Sequence, residues 1–168
     1  ADGNGVKVGT YHYRGGTLHQ GVELGLSGSQ RMGVGALDYR GSWTYSDFHF
    51  RAGEYAGKQI AGVPRHLINA ELMVRLGAWR FGPNLRWVPV STPTDHANTA
   101  GTQQESYALL GLKVEWSDGP WAVYLQADNV TDRRYASSYV IRNQATAAQP
   151  GYLPGLGRSV TAGLTYRF

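Results

Sequence analysis

The sequence contains no cysteine among its 168 residues, which excludes a disulfide framework and a metal site built on thiolates. No stretch approaches the ~18 consecutive apolar residues of a membrane-spanning helix. The 16 Lys and Arg residues are scattered among 12 acidic ones and form no run, so nothing favours nucleic-acid binding. The N-terminus, ADGNGVKVG, lacks the basic and apolar regions of a secretory signal, so we interpret the chain as mature or as a piece of something longer.

What the sequence does have is alternation. In GRSVTAGLTYRF, residues 157–168, the apolar side chains fall on one parity and the small or polar ones fall on the other. The apolar set is Val160, Ala162, Leu164, Tyr166 and Phe168. A period of two places each set on its own face of a β-strand.

The same pattern recurs along most of the chain, whereas no segment of ~11 residues has a helical period. Seven strands are predicted, at about residues 10–27, 36–47, 67–78, 79–90, 106–116, 121–130 and 157–168. An eighth strand from residues 1–10, with a turn at Arg14-Gly15-Gly16, is an alternative. Nothing marks a domain boundary, so residues 1–168 are predicted to form one unit.

The polar faces and the gaps between strands favour a membrane barrel over a soluble β-protein such as a lipocalin. Charged residues lie near the middles of the predicted strands, opposite apolar ones, and aromatic residues lie near strand ends. The gaps at about 28–35, 77–83 and 117–120 are short, while those at 48–66, 91–105 and 131–158 are long. Outer-membrane barrels have a polar lumen, aromatic girdles, short periplasmic turns and longer extracellular loops. The long connections are therefore predicted to lie outside the cell.

Five segments, in order, resemble the end of TonB-dependent outer-membrane receptors. They are TLHQGVELGLSG (17–28), GSWTYSDFHF (41–50), AGVPRHLINAELMVRL (61–76), NVTDRRYASS (129–138) and PGLGRSVTAGLTYRF (154–168). The resemblance implies an all-β, antiparallel transmembrane barrel of 22 strands around an N-terminal plug domain. The chain matches about the last seven strands, and no plug or TonB box is recognisable in it. We therefore expect the C-terminal part of a larger receptor.

This resemblance implies an active transporter in the outer membrane of a Gram-negative bacterium. Its substrate would be a scarce nutrient, most commonly an iron–siderophore, or another metal chelate or cofactor. The implied partners are outer-membrane lipid and lipopolysaccharide, the plug and earlier strands, the TonB complex, the barrel assembly machinery and a small-molecule substrate such as a siderophore. The alternative is a small stand-alone outer-membrane barrel acting as a passive pore or an enzyme.

No resident cofactor and no enzymatic activity are expected. Ser46 and His49 form the nearest Ser–His pair, and a spacing of three puts them on opposite faces of a continuing strand. Gly-rich phosphate loops and zinc-ligand spacings are absent from the sequence. Asn129 and Asp132 are expected to hold turns, since Asn and Asp side chains hydrogen-bond nearby backbone. Arg158 is expected to steady the turn into the last strand through carboxylate or carbonyl contacts.

Ligand contact is predicted in the long connections, because aromatic rings stack on planar ligands and Arg grips carboxylates bidentately. The predicted residues are His49, Arg51, Tyr139, Arg142, Asn143 and Tyr152. Arg142, flanked by Tyr139 and Asn143 in the longest connection, is the principal candidate. From the resemblance, the terminal aromatic residues Tyr166 and Phe168 are expected to act as the signal read by the assembly machinery.

Overall fold

A computed structural model describes residues 5–14, 16–146 and 151–168. They contain ten β-strands: β1 Gly5–Arg14, β2 Thr17–Met32, β3 Gly35–Phe50, β4 His66–Leu76, β5 Trp79–Val88, β6 Tyr107–Asp118, β7 Trp121–Asp128, β8 Ala136–Tyr139, β9 Tyr152–Pro154 and β10 Ser159–Tyr166. Eight of them form one antiparallel sheet in the order β1-β2-β3-β4-β5-β6-β7-β10. Strands β8 and β9 form a separate hairpin within the connection between β7 and β10.

The expected count of seven strands is wrong, and the alternative of an eighth strand is correct. The stretch predicted as one strand over 10–27 is divided between β1 and β2, which pair from Gly5↔Ser27 to Arg14↔Leu18. The sequence pattern is weak here because Gly5 and Gly9 flank the short alternation Val6-Lys7-Val8. Gly15, within the predicted turn, lies outside the described residues.

The register carries one apolar face and one polar face across the sheet. On the apolar face Trp43 pairs with Ile68, which pairs with Trp87. On the polar face Ser42 pairs with Asn69, and Asn69 pairs in turn with Arg86. The apolar face is left uncovered, with these large side chains 39–66% exposed: Val8, Leu26, Leu72, Phe81, Leu112, Leu125 and Val160.

Aromatic residues bound the apolar face at both ends of the strands. Trp43 Nε1 donates to His66 Nδ1 at 3.2 Å near the end with long connections. Near the opposite end the rings of Trp121 and Tyr166 have centroids 4.6 Å apart. From Trp79 to Trp87 the strand rises about 26 Å at ~3.3 Å per residue. At the 35–45° tilt of strands in membrane barrels, this length spans about 20 Å of the membrane normal, most of the ~25 Å apolar band between the aromatic girdles.

The structure of β5 explains why apolar and polar residues alternate less regularly in it than in the other predicted strands. Pro83 has no N–H to give to the ladder, and the pairing between β4 and β5 lapses between Glu71↔Asn84 and Val74↔Phe81. Gly82 lies here against the Leu72 carbonyl oxygen, where a Cβ would collide with backbone. The strand therefore continues through a proline because glycine beside it lets the neighbouring backbone come close.

The sheet is open along both edges, since β1 and β10 each pair with only one strand. On edge strand β10 the side chains of Val160 and Leu164 are each 65% exposed. Within the described ranges, no helix has the length and apolar content needed to cross a membrane.

Candidate functional site

The three long connections lie at one end of the sheet, and Asp95 ties two of them together. This residue, in the 89–106 connection, is fully buried. Its carboxylate accepts hydrogen bonds from Thr99 N at 2.9 Å, Thr99 Oγ1 at 2.5 Å and Ala145 N at 2.7 Å. Ala145 belongs to the 129–158 connection. A single carboxylate therefore holds its own loop in a turn and fixes the neighbouring loop to it.

The hydrogen bonds of Asp95 keep it ionised despite its burial. Burial alone raises the pKa of the carboxyl group, because a charge is disfavoured away from water. The hydrogen bonds from Thr99 and Ala145 outweigh this effect and bring the pKa below its ordinary value of 3.8. A carboxylate with these donors is a structural anchor at neutral pH.

Asn98 joins the 51–65 connection to the same unit. Its side chain accepts from Gln59 N at 2.8 Å and donates to Gln59 O at 2.8 Å. It holds a left-handed backbone, with φ of 51°, which Asn tolerates better than most residues. A second tie runs from Gly62 N to Pro93 O at 2.8 Å. The three long connections are thus cross-linked into one unit.

Three rings form a small cluster at this end. The Phe50 and His96 rings meet edge to face at a centroid distance of 4.9 Å, and Tyr55 lies 6.0 Å from His96. Phe50 has the parity of the polar face of β3, opposite Thr17 of β2. No group of His, Asp and Glu side chains suited to a metal ion occurs in the part of the chain that the structure describes.

Four of the six predicted ligand-binding residues come together in the 129–158 connection. Tyr139 and Tyr152 pair across the β8–β9 hairpin. The Arg142 and Asn143 carbonyl oxygens accept from His96 N at 3.1 Å and Ala97 N at 2.9 Å. Arg142, Asn143 and Tyr152 are exposed.

Tyr139 is half-buried instead. Its ring packs against Gly62, whose positive φ of 77° and crowded position both suit glycine. Burial is the main cause that raises the pKa of Tyr139 to about 12, with the nearby Tyr107 adding to it. Its contacts join the β8–β9 hairpin to the 51–65 connection.

His49 and Arg51 lie apart from those four residues. His49 pairs with Leu18 and shares the parity of the apolar face of β3, and its Nδ1 lies 3.0 Å from Asp47 Oδ1. Arg51 is exposed, and its backbone N donates to Gly16 O at 3.0 Å. The structure therefore divides the predicted set into a group of four and a separate pair.

Asn129 and Asp132 hold turns as expected, while Arg158 takes part through its backbone N. Asn129, with a positive φ of 48°, accepts from Arg133 N and donates to the Arg133 and Leu156 carbonyl oxygens. Asp132 Oδ1 accepts from Arg158 N at 2.9 Å. These contacts tie the start of the 129–158 connection to its end.

Comparison with known proteins identifies the family. The family model described as TonB dependent receptor-like, beta-barrel matches residues 1–130, more than half of the chain. The chain belongs to the TonB-dependent receptor family. Members of this family are outer-membrane transporters and not enzymes.

Solved structures of the receptor family have the same fold as the chain. The siderophore receptor PiuA from Acinetobacter baumannii superposes with a TM-score of 0.70 at 21% identity, over 89% of this chain and 22% of PiuA. The ferric yersiniabactin uptake receptor FyuA from Yersinia pestis gives 0.69 at 22% identity, over 90% and 24%. The ferric citrate transporter FecA gives 0.70 at 21% identity, over 89% and 24%. No curated protein sequence matches significantly.

The chain therefore spans about a quarter of the length of the solved TonB-dependent receptors that it matches. Its open sheet is consistent with one segment of their larger barrel. In that setting the polar face described above corresponds to the lumen, and the apolar face corresponds to the outer wall of the barrel.

Sequence reasoning missed Asp95 and Asn98, which organise the connections of this receptor segment. Both lie in STPTDHANTAG, residues 91–101, a run rich in residues that form local turns. The sequence does indicate a turn here, because the Asp95 side chain is close enough along the chain to accept from the backbone N of Thr99. The partners Ala145 and Gln59 are distant in sequence, so no local pattern could name them.

The C-terminal aromatic residues allow a test of assembly. Phe168 is fully exposed, and its ring contacts that of Tyr166 at a centroid distance of 5.0 Å. Deleting Phe168 is expected to lower the outer-membrane level of the receptor more than Phe168→Tyr does, because the tyrosine keeps a terminal aromatic ring. Immunoblots of outer-membrane fractions measure this, and equal, normal levels of all three proteins would exclude a role for Phe168 in assembly.

Proposed function

We propose that this chain is the C-terminal barrel segment of an active outer-membrane transporter that takes up an iron–siderophore complex or a similar metal chelate. A plug domain and earlier strands would complete the barrel, and TonB would supply energy through them. The observation that carries the proposal is the two-faced, open sheet in a chain of this family. Unpaired backbone groups in lipid cost several kcal/mol each, so such edges require further strands.

The substrate class is supported by the solved relatives and by the long connections. The relatives are described as siderophore, ferric yersiniabactin and ferric citrate receptors or transporters. In this chain the connections expose Arg142 and Tyr152, whose guanidinium and ring suit anionic and planar ligands. The cross-linked connections would form part of the ligand-capturing mouth.

Growth under iron limitation tests the transport function. The gene that carries this chain is deleted, and growth is scored on ferric chelates of different charge, in strains with and without TonB. We expect loss of growth on one chelate class in the deletion strain, and the same loss without TonB. Uptake that needs the gene but not TonB would contradict the proposal and support a passive pore.

Labelling tests the proposed orientation, and the lack of cysteine in this chain keeps its own background low. A cysteine at Lys58 or Ala100, both exposed in long connections, should react with an impermeant maleimide in intact cells. A cysteine at Asp118, the last residue of β6 beside the short turn at the other end, should react only after the outer membrane is opened. The reverse pattern would overturn the orientation.

Arg142→Ala tests the predicted ligand contact. Loss of a charged hydrogen-bond donor should weaken substrate binding by about tenfold, since such bonds contribute about 1.5–3 kcal/mol. The backbone link from His96 N to Arg142 O does not need the side chain, so this tie between the two connections should be kept. Arg31→Ala, exposed near the opposite end of the sheet and opposite Ala36, is the comparison variant. Unchanged affinity in Arg142→Ala would exclude this residue as a ligand contact.

A further inference from the structure

The hairpin formed by β7 and β10 has no tight turn that could fix its register. Turn type and loop length set the register of most hairpins. Three other strand pairs of the sheet are joined by short turns, each with a glycine of positive φ, at Gly33, Gly77 and Gly119. Strands β7 and β10 are joined by the 129–158 connection, which is too long to impose one pairing.

The alternation of β10 does not fix this register either. A slip of one residue would exchange the two faces, but a slip of two residues keeps every side chain on its own face. Ala162 lies opposite Leu125. A two-residue slip would place it opposite Val123 or Ala127, which are apolar as well. Three registers are therefore compatible with the pattern, and other contacts must select among them.

A group of contacts at the end with the long connections permits only one register. Asn129 is buried, and its side-chain nitrogen donates to Leu156 O at 3.2 Å. Asp132 Oδ1 accepts from Arg158 N at 2.9 Å, one residue before β10 begins. We call these four residues the clasp. A slip of two residues moves β10 by about 6.6 Å, which exceeds the reach of both hydrogen bonds.

An aromatic ring over a glycine selects the same register in the middle of the hairpin. Tyr124 lies opposite Gly163, and its ring occupies the space that a Cβ at Gly163 would need. A two-residue slip would place Tyr124 opposite Thr161 or Thr165, whose branched side chains would displace the ring. An aromatic side chain that covers a glycine on an edge strand is one of the devices that pin strand register.

The register also sets the height of the C-terminal aromatic residues. The Tyr166 ring lies 4.6 Å from that of Trp121 and 5.0 Å from that of Phe168, as centroid distances. Arg167 N continues the ladder by donating to Pro120 O at 2.9 Å. A two-residue slip would carry Tyr166 and Phe168 about 6.6 Å along the barrel wall and away from Trp121.

We propose that the clasp and the Tyr124 ring form a register lock, which selects one pairing of β7 and β10 and thereby positions Tyr166 and Phe168. Every contact of the lock joins two described residues of this chain, so the lock is complete within the last hairpin. Without it, the hairpin would populate the two registers shifted by two residues. This inference is independent of the transport function proposed above.

Disulfide mapping tests the register lock in the full-length receptor, with any cysteine outside this chain replaced. The double variant Ala162→Cys/Leu125→Cys reports the register of the structure, and we call its bond the native disulfide. Ala162→Cys combined with Val123→Cys or with Ala127→Cys reports the two shifted registers. Directly opposed residues are close enough for a disulfide, whereas residues two positions further along are generally too far apart.

The receptor is folded into lipid vesicles, because proteases in cells would remove misassembled molecules, and the disulfides are quantified by mass spectrometry after mild oxidation. The native disulfide should predominate in the unmodified receptor. Tyr124→Ala should raise the ratio of shifted to native disulfide about fivefold, through the loss of one cross-strand aromatic contact. Asn129→Ala should raise it about tenfold, because it removes the clasp bond to Leu156 O and the turn bonds to Arg133.

Two control variants separate the lock from general weakening of the hairpin. Tyr124→Phe keeps the ring over Gly163 and should leave the ratio unchanged. Gln126→Ala is the matched control, because Gln126 lies two residues from Tyr124 on the same face of β7, opposite Thr161 and outside the clasp. It should also leave the ratio unchanged, and an equal shift in Gln126→Ala and Tyr124→Ala would overturn the proposal.

Gly163→Ala provides a second arm from the opposite strand. The added Cβ would displace the Tyr124 ring, so the ratio should rise as it does in Tyr124→Ala. The double variant Tyr124→Ala/Gly163→Ala should add little to either change, because both remove the same contact. If the native disulfide still predominated to the same extent in Tyr124→Ala and in Asn129→Ala, other contacts would fix the register and the proposal would be wrong.

Discussion

Replacing Asp95 with alanine is expected to separate the 89–106 and 129–158 connections while leaving the sheet intact. The Thr99 and Ala145 amides would lose their acceptor, and Ala145 is buried. Stranded donors cost about 1–3 kcal/mol each, so the local opening free energy should fall by about 3 kcal/mol. Hydrogen exchange of these two amides should then be about a hundredfold faster.

Asp95→Asn and Asp118→Ala are the comparison variants. The amide keeps an acceptor oxygen and should lose less protection than alanine. Asp118 is exposed at the end of β6 away from the long connections, so its loss should change nothing in them. The pKa of Asp95 is lowered, so its contribution is complete at neutral pH and is lost only as pH falls through that lowered value. Normal exchange in Asp95→Ala would show that other contacts hold the loops.

Leu112→Arg is expected to damage the receptor far more than Lys113→Leu. Leu112 is 47% exposed on the apolar face, where an arginine at the bilayer midplane costs about 2–4 kcal/mol. Lys113 lies on the polar face, paired with a partly exposed Glu71, and such a pair contributes less than about 1 kcal/mol. Folding titrations into lipid vesicles would measure both changes.

The uncharged variant Leu112→Gln helps to separate charge from shape. It should cost less than Leu112→Arg if the apolar face meets lipid. If Lys113→Leu were the more harmful change, the assignment of lipid and lumen would be inverted for the whole sheet, because one residue of register exchanges every face.

Strand parity was predictable from the sequence because the period of two is a local property. Leu112 and Lys113 fall on the faces that the alternation assigned to them. The short turns were predictable too, since glycines with positive φ at Gly33, Gly77 and Gly119 mark them. The turn roles of Asn129 and Asp132 followed from their residue types, and family resemblance added the barrel context.

The rest of the site depends on contacts that no local pattern contains. β1 was uncertain because Gly5 and Gly9 dilute its alternation, and its stability comes from pairing with β2. Residues 131–158 were expected to form a long loop, and β8 and β9 pair within it, from Ala136 to Pro154. The ring of Tyr135 lies on Gly155, a contact that leaves no room for a side chain there.

The cross-linked connections have a kinetic consequence for ligand capture. Loops that must become ordered on binding lose about 0.5–1.5 kcal/mol for each side chain that is immobilised. Here Asp95 and Asn98 have ordered the backbone before any ligand arrives. Capture on the proposed mouth would approach rigid docking, so diffusion and charge would set the association rate, and ligand contacts such as the one proposed for Arg142 would set the residence time.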